Sequence, residues 1–152
     1  MKIAIGCDHG GFELKNKIIK FLEHEKCEIK DFGTYSTNSC DYPDIALPVA
    51  EAVLAKEYEF GILICGTGIG IGIAANKVSG IRAALCSDTF SAHASREHNN
   101  ANILTMGQRV IGEGLALDIV KTFISSKFEG DRHQNRIDKI SEIEKKYSKC
   151  NV

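Results

Sequence analysis

Short apolar runs alternate with stretches of helical periodicity along this chain. The runs that are typical of strands cover Lys2–Cys7, Cys27–Phe32, Phe60–Cys65, Ile81–Leu85 and Ile103–Met106. Phe60–Cys65 is continuously apolar, as expected of a strand that is covered on both faces of its sheet. Strands that alternate with helices indicate β-α-β units and therefore a parallel sheet.

Amphipathic helices are predicted between these strands. Leu14, Ile18, Phe21 and Leu22 recur at the spacing of one helix face. Asp44 can cap a further helix, which tolerates Pro48 in its first turn. The other predicted helices run from the glycine loop through Lys77, from Ser87 or Asp88 toward His98, and from Leu115 to Ile124.

The C-terminal stretch predicts one more helix, with Ile137, Ile140, Ile143 and Tyr147 on one face among many charges. That helix either lies on the surface of its own domain or packs on a second subunit, and the pattern leaves both open. The predicted fold is α/β: a single Rossmann-like domain over residues 1–152. It has a five-stranded parallel sheet flanked by helices and a C-terminal arm and helix at about 127–150.

Charge and cysteine content exclude several classes of protein. A net charge of −1 provides no long-range field for nucleic acid. Apolar stretches of about six residues are too short for a membrane span or a secretion signal, so we expect a cytoplasmic protein. Its six cysteines are then expected to be reduced, and no C-x-x-C pair suggests a zinc or redox motif.

A glycine-rich loop, Cys65-Gly66-Thr67-Gly68-Ile69-Gly70, follows the third predicted strand. It does not match the dinucleotide fingerprint, because positions 71 and 73 are both isoleucine. Its closely spaced N–H groups can bind an anionic ligand or a developing oxyanion. The alternative is that the glycines only allow tight strand–helix packing.

Cys65 is the cysteine with a candidate chemical role, because it directly precedes a predicted helix. A helix N-terminus favours the thiolate, which suits a nucleophile or general base. Cys7 and Cys86 are interpreted as small buried apolar residues, and Cys27, Cys40 and Cys150 carry no signal.

The histidines do not have the spacing of a metal site, and we predict none. His24 and His133 are interpreted as solvent-exposed. His9 and His98 are assigned to strand-end loops beside polar groups, where either a catalytic role or simple capping fits. Arg132 and Arg136 are four residues apart and offer two guanidinium groups to a phosphate, or form a solvated charged arm.

Seven segments taken together identify a family. In order they are Gly6–Phe12, Cys40–Asp44, Cys65–Gly70, Ala74–Lys77, Gly80–Ala84, His98–Asn102 and Gly107–Arg109. Over about residues 1–147 the chain closely resembles ribose-5-phosphate isomerase type B, of the RpiB/LacAB sugar-phosphate isomerase family. The resemblance implies reversible conversion of D-ribose 5-phosphate to D-ribulose 5-phosphate in the pentose phosphate pathway, through an enediolate and without metal or nucleotide cofactor.

The resemblance also implies roles for individual residues. Cys65 is similar to the base that moves a proton between C2 and C1, and His98 to the group that opens the furanose ring. Asp8 is placed near the substrate hydroxyls, and Thr67 is counted with these catalytic residues. The backbone of the loop would hold the enediolate oxygen through Gly66, Thr67, Gly68, Ile69 and Gly70. The positions that correspond to phosphate contacts are His9, Arg109, Arg132 and Arg136. Asn99 corresponds to a substrate ligand, and Tyr42 and Asp44 border the pocket.

A homodimer whose active site combines side chains of both chains is a further implication, with a tetramer left open. The nearest rival reading is the same reaction on allose 6-phosphate or galactose 6-phosphate, since the sequence does not reveal pocket depth. A rival of another class is a nucleotide-binding or thiol-sensing module, which the missing dinucleotide fingerprint and the missing C-x-x-C pair argue against.

Overall fold

The computed structural model describes residues 1–148 and shows a parallel sheet of five strands. The strands are β1 (Lys2–Cys7), β2 (Glu28–Asp31), β3 (Phe60–Cys65), β4 (Ala83–Leu85) and β5 (Ile103–Gly107), in the order β2-β1-β3-β5-β4. The predicted fold class and all five predicted strands are confirmed. The end of the predicted arm, with Cys150, lies outside the described residues.

Helices cover both faces of the sheet. They are α1 (Phe12–His24), α2 (Tyr42–Leu54), α3 (Ile69–Ala75), α4 (Thr89–Glu97), α5 (Glu113–Ser125) and α6 (Asp131–Ser148). One apolar core joins the sheet to α1, α4 and α5, and a second joins it to α2 and α3. Strands covered on both faces explain the continuous apolar runs. Within residues 1–148, no helix has the length and apolar character needed to cross a membrane.

The start of α2 differs from the prediction. Asp41, not Asp44, occupies the N-cap position, and the prolines are Pro43 in the first turn and Pro48 inside the helix. Pro43 fits because first-turn N–H groups have no intrahelical partner. The expectation that Pro48 lies in the first turn was wrong, and the helix continues past it with one backbone hydrogen bond fewer.

The cap of α4 was left open between two residues, and the structure selects Asp88. Its Oδ1 accepts a hydrogen bond from the Ser91 amide at 2.7 Å, and this bond lowers the pKa of the Asp88 carboxyl. Two other boundaries shift slightly: α3 ends at Ala75 rather than Lys77, and α5 begins at Glu113.

The strand order places β2 and β3 on opposite sides of β1. The chain leaves β1 for β2 on one side and returns to β3 on the other, so the order reverses between β1 and β3. The loops after these two strands lie side by side: a Cβ at Gly10 would be 3.0 Å from the Gly66 amide nitrogen. Parallel α/β sheets bind ligands at such a reversal, outside the carboxyl ends of their strands.

Lys15 on α1 is a fully buried cation. Its Nζ donates to both carboxylate oxygens of Asp31 at 2.7 Å and to the Thr34 carbonyl at 2.7 Å. These bonds tie the end of β2 and the loop beyond it to α1. A buried ion pair that loses one partner leaves an uncompensated charge, which is costly.

We therefore expect Lys15→Met to lower the free energy of unfolding by about 2–3 kcal/mol, less than for a fully buried pair because Asp31 is 28% exposed. Urea denaturation followed by circular dichroism measures the change. Lys17→Met is the matched control, since Lys17 pairs with Glu113 at the surface and its loss should leave the midpoint unchanged. Equal midpoints for the two variants would contradict the stabilising role of the buried Lys15–Asp31 pair.

Candidate active site

Cys65 ends β3 at the carboxyl edge of the sheet and is 5% exposed. Its Sγ accepts a hydrogen bond from the Gly68 amide at 3.0 Å. An N–H group that donates to sulfur favours negative charge there, as does the start of a helix. Burial raises the pKa of Cys7 to about 12 and that of Cys86 to about 11, which keeps these two thiols protonated.

The glycine loop after Cys65 is pressed against β5. Gly68 has a φ of +79°, and a Cβ there would lie 2.7 Å from the Met106 carbonyl carbon. Thr105 Oγ1 donates to the Gly68 carbonyl at 3.0 Å, which anchors the loop further. A Cβ at Gly107 would lie 2.5 Å from the Thr67 carbonyl carbon. Tight packing therefore explains why position 68 is a glycine. This is the second of the two interpretations that the sequence left open for the loop.

The backbone of the same loop also offers hydrogen-bond donors. Within residues 1–148, the amides of Gly66, Thr67 and Gly70 have no acceptor, whereas the Ile69 amide donates to Thr67 Oγ1 at 3.3 Å. Because Gly10 has no side chain, it leaves the Gly66 amide uncovered. Unpaired N–H groups beside a thiol form a place for a developing oxyanion.

Four further predicted site residues border this loop. Asp8 is 7% exposed, and its Oδ1 accepts from the Gly10 amide at 2.8 Å. His9 Nδ1 accepts from the Cys40 amide at 3.3 Å, so its proton lies on Nε2. The Tyr42 ring packs over Gly70, and the Arg109 guanidinium lies over Gly66. We call these four residues and the Cys65–Gly70 loop the carboxyl-edge group.

The other predicted site residues form a second set, the amino-edge group: His98, Asn99, Arg132 and Arg136, with Glu129 and His133. The His98–Asn102 loop precedes β5, so its assignment to a ligand-binding strand end was wrong. The two ends of the five-residue β5 are about 13 Å apart. Within residues 1–148, no hydrogen bond or ion pair joins the two groups. One chain therefore keeps Cys65 and His98 apart.

His133 is buried, which contradicts its prediction as an exposed residue. It is 4% exposed, and its ring stacks on His98 with centroids 4.4 Å apart and planes inclined by 13°. The sequence contains a signal for this: His133 precedes the buried Ile137 by four residues and so continues the inward face of α6.

Two arginines that the sequence analysis missed shape the loop that carries His98. Arg82 Nε donates to the carbonyls of Asn99 and Asn100, at 3.1 and 3.0 Å. Arg96 Nη1 donates to the Ala101 carbonyl at 2.6 Å, and its guanidinium lies over the Phe60 ring. Burial lowers the pKa of both guanidinium groups. Their carbonyl partners lie in the loop, so only the folded structure reveals these contacts.

One cluster in the described chain has the residue types of a metal site: His98, Glu129 and His133, with ligand atoms within 4.8 Å of one another. A metal ion must lie in the plane of each imidazole that binds it. Nearly parallel, stacked rings direct their lone pairs along separate planes, so this arrangement does not converge on one ion.

Comparisons with known proteins find relatives that match this chain over nearly its whole length. The model of the ribose/galactose isomerase family matches residues 3–140. Ribose-5-phosphate isomerase B of Escherichia coli is 50% identical over 95% of this chain and 97% of its own. The structure of Clostridium thermocellum ribose-5-phosphate isomerase B has a TM-score of 0.96 at 58% identity, covering 97% of this chain and 99% of that one. D-erythrulose-4-phosphate isomerase of Pectobacterium atrosepticum is 41% identical, over 95% of both.

These matches define the class of protein: an enzyme that interconverts the aldose and ketose forms of a sugar phosphate. The chain belongs to the ribose/galactose isomerase family. The resemblance found in the seven sequence segments is thereby confirmed.

Proposed function

We propose that this enzyme converts D-ribose 5-phosphate to D-ribulose 5-phosphate, and the reverse, with Cys65 as the base. The observation that carries the proposal is the buried thiol beside three unpaired amides. The Cys65 thiolate takes the C2 proton of the open-chain aldose. The released electron pair forms the C1–C2 double bond of an enediolate, with negative charge on O1.

The second half of the reaction reverses this movement one carbon away. The Cys65 thiol returns its proton to C1, while the hydroxyl proton of O2 passes to O1 and leaves the C2 ketone. The charge on the enediolate oxygen is stabilised by the amides of Gly66, Thr67 and Gly70. One such preorganised donor is typically worth about 2.7–4 kcal/mol. Because C1 and C2 are adjacent, a single base on one face of the intermediate serves both.

Ring opening precedes this step for a furanose substrate, and His98 is our candidate for the proton transfer. Asp8 then contacts the substrate hydroxyls, with Asn99 and Tyr42 beside the sugar. The donors available for the phosphate are the Nε2–H of His9 and the Arg109 guanidinium at one edge of the sheet, and the guanidinium groups of Arg132 and Arg136 at the other. Bidentate guanidinium contacts suit a phosphate dianion.

The separation of these residues supports a shared site in a homodimer. A sugar phosphate is too small to bridge about 13 Å between the edges of one sheet. In a two-fold dimer, the carboxyl-edge group of one chain can face the amino-edge group of its partner. Large apolar side chains are exposed on α3, α4 and α6 and at the end of β4, and such a dimer could cover them: Ile69, Ile73, Leu85, Phe90, Ile140, Ile143 and Tyr147.

The substrate is tested by comparing kcat/KM for ribose 5-phosphate, allose 6-phosphate, galactose 6-phosphate and erythrose 4-phosphate. We expect ribose 5-phosphate to be preferred by at least about tenfold, because one carbon more or fewer typically changes transition-state binding by 1–3 kcal/mol. The relatives named for ribose 5-phosphate are 50% and 58% identical, against 41% for the relative named for erythrulose 4-phosphate. A higher kcat/KM on either hexose phosphate would reject the pentose assignment.

Thermal unfolding tests the alternative that the protein binds a nucleotide. Ribose 5-phosphate should raise the thermal midpoint of the protein, whereas NAD and ATP at the same concentration should not, because a ligand stabilises only the state that binds it. A midpoint raised by a nucleotide alone would favour the rival.

A further inference from the structure

His133 touches both functional parts of the amino-edge group. One face of its ring stacks on His98. Its edge lies among charged groups: Nδ1 is 3.5 Å from Arg136 Nη1, while Nε2 is 3.2 Å from Glu129 Oε2 and 3.4 Å from Arg132 Nε. None of the residue roles assigned above involves this imidazole.

The contacts select one form of the ring. A proton on Nε2 can be donated to Glu129, and the free lone pair on Nδ1 then accepts from Arg136. The other neutral tautomer would direct an N–H at Arg136, which has only donors. A doubly protonated ring would add positive charge beside two guanidinium groups. The neutral Nε2–H tautomer therefore satisfies Glu129, the nearest of the three groups, and Arg136, while Arg132 Nε at 3.4 Å finds no acceptor on this ring.

Resting on the function proposed above, we propose that His133 is a positioning residue that links His98 to the phosphate-binding arm. The face of its ring orients the His98 imidazole for ring opening. Its Nδ1 lone pair fixes Arg136, and Glu129 holds the tautomer that makes this possible. A single imidazole thereby sets the distance between the group that handles the ring oxygen and the group that binds the phosphate of the same substrate.

Two substitutions separate these tasks. His133→Phe keeps an aromatic face under His98 but removes both nitrogens, so we expect KM to rise by about tenfold with kcat nearly unchanged. His133→Gln keeps a donor for Glu129 and an acceptor for Arg136 but has no ring, so we expect kcat to fall by a similar factor with KM nearly unchanged. His24→Phe, at an imidazole whose side chain is 88% exposed, is the control that should change neither.

A purely structural role gives another result. Both variants would then lower the melting temperature and change kcat and KM together, and this would overturn the proposal. Unchanged kinetics in both variants would also overturn it. In a His98→Asn background, the kcat effect of His133→Gln should disappear while the KM effect of His133→Phe remains.

Nuclear magnetic resonance of the imidazoles tests the proposal without turnover, so a wrong substrate assignment is distinguished from a wrong role for His133. Nitrogen-15 shifts should show His133 as the Nε2–H tautomer. The ring protons of His98 should move downfield in His133→Gln, which removes the stacked ring, and much less in His133→Phe. An Nδ1–H tautomer, or His98 signals that do not respond, would overturn the proposal whatever the substrate is.

Discussion

Cys65→Ala is expected to lower kcat on ribose 5-phosphate by roughly 10²–10⁴-fold, the usual contribution of a positioned acid–base group. KM should stay within about threefold, because the thiol acts on a carbon-bound proton and holds neither the phosphate nor the hydroxyls. The loop should keep its shape, since Gly68 is held independently by the hydroxyl of Thr105. Initial rates measured on ribose 5-phosphate, with circular dichroism to confirm folding, give the result.

Cys86→Ala is the matched control for this substitution. Cys86 is a thiol of similar burial at 2% exposure, and it contacts neither functional group. Burial raises its pKa to about 11, so it stays protonated. We expect its loss to cost some stability through the small cavity left behind and to leave kcat unchanged. Turnover that survives Cys65→Ala undiminished would remove the thiolate from the mechanism, whereas equal losses in both variants would indicate a packing effect.

The fold was predictable because two independent patterns agree along the chain. Continuous apolar runs such as Phe60–Cys65 require cover on both faces, and the helical spacing between the runs supplies that cover. The cap of α2 was less predictable, because Asp41 and Asp44 both precede apolar residues and both tolerate a cap position. Local chemistry alone does not distinguish two such residues three positions apart.

The carboxyl-edge group was predictable for a topological reason. Residues that follow parallel strands must meet at one edge of the sheet, so Asp8, Cys65 and Arg109 converge whatever the details of packing. His98 was misplaced because the same rule was applied to a loop that precedes its strand. The spacing of His133 and Ile137 on α6 indicates that His133 faces inward, but its stacking on His98 is a tertiary contact that no local pattern contains.

Mixing two variants that each retain little activity should restore much of it if the site is shared. Cys65→Ala lacks a working carboxyl-edge group, and His98→Asn lacks a working amino-edge group. When the chains are refolded together at equal amounts, half of the dimers are mixed, and each mixed dimer has one site with both groups intact. We therefore expect about a quarter of the wild-type activity per chain, with the other site of each mixed dimer doubly defective.

The matched control pairs Cys65→Ala with Asp8→Asn. Both substitutions lie in the carboxyl-edge group, whose members are held together within one chain by the packing of Gly10 against the Gly66 amide. Every site in this mixture keeps a defective carboxyl-edge group, so refolding should restore nothing above the sum of the two variants. Recovery in both mixtures, or in neither, would mean that Cys65 and His98 do not meet across a two-fold axis. Recovery only in the mixture of Cys65→Ala with His98→Asn requires that Cys65 and His98 meet across the two-fold axis, because one chain holds them at opposite edges of its sheet.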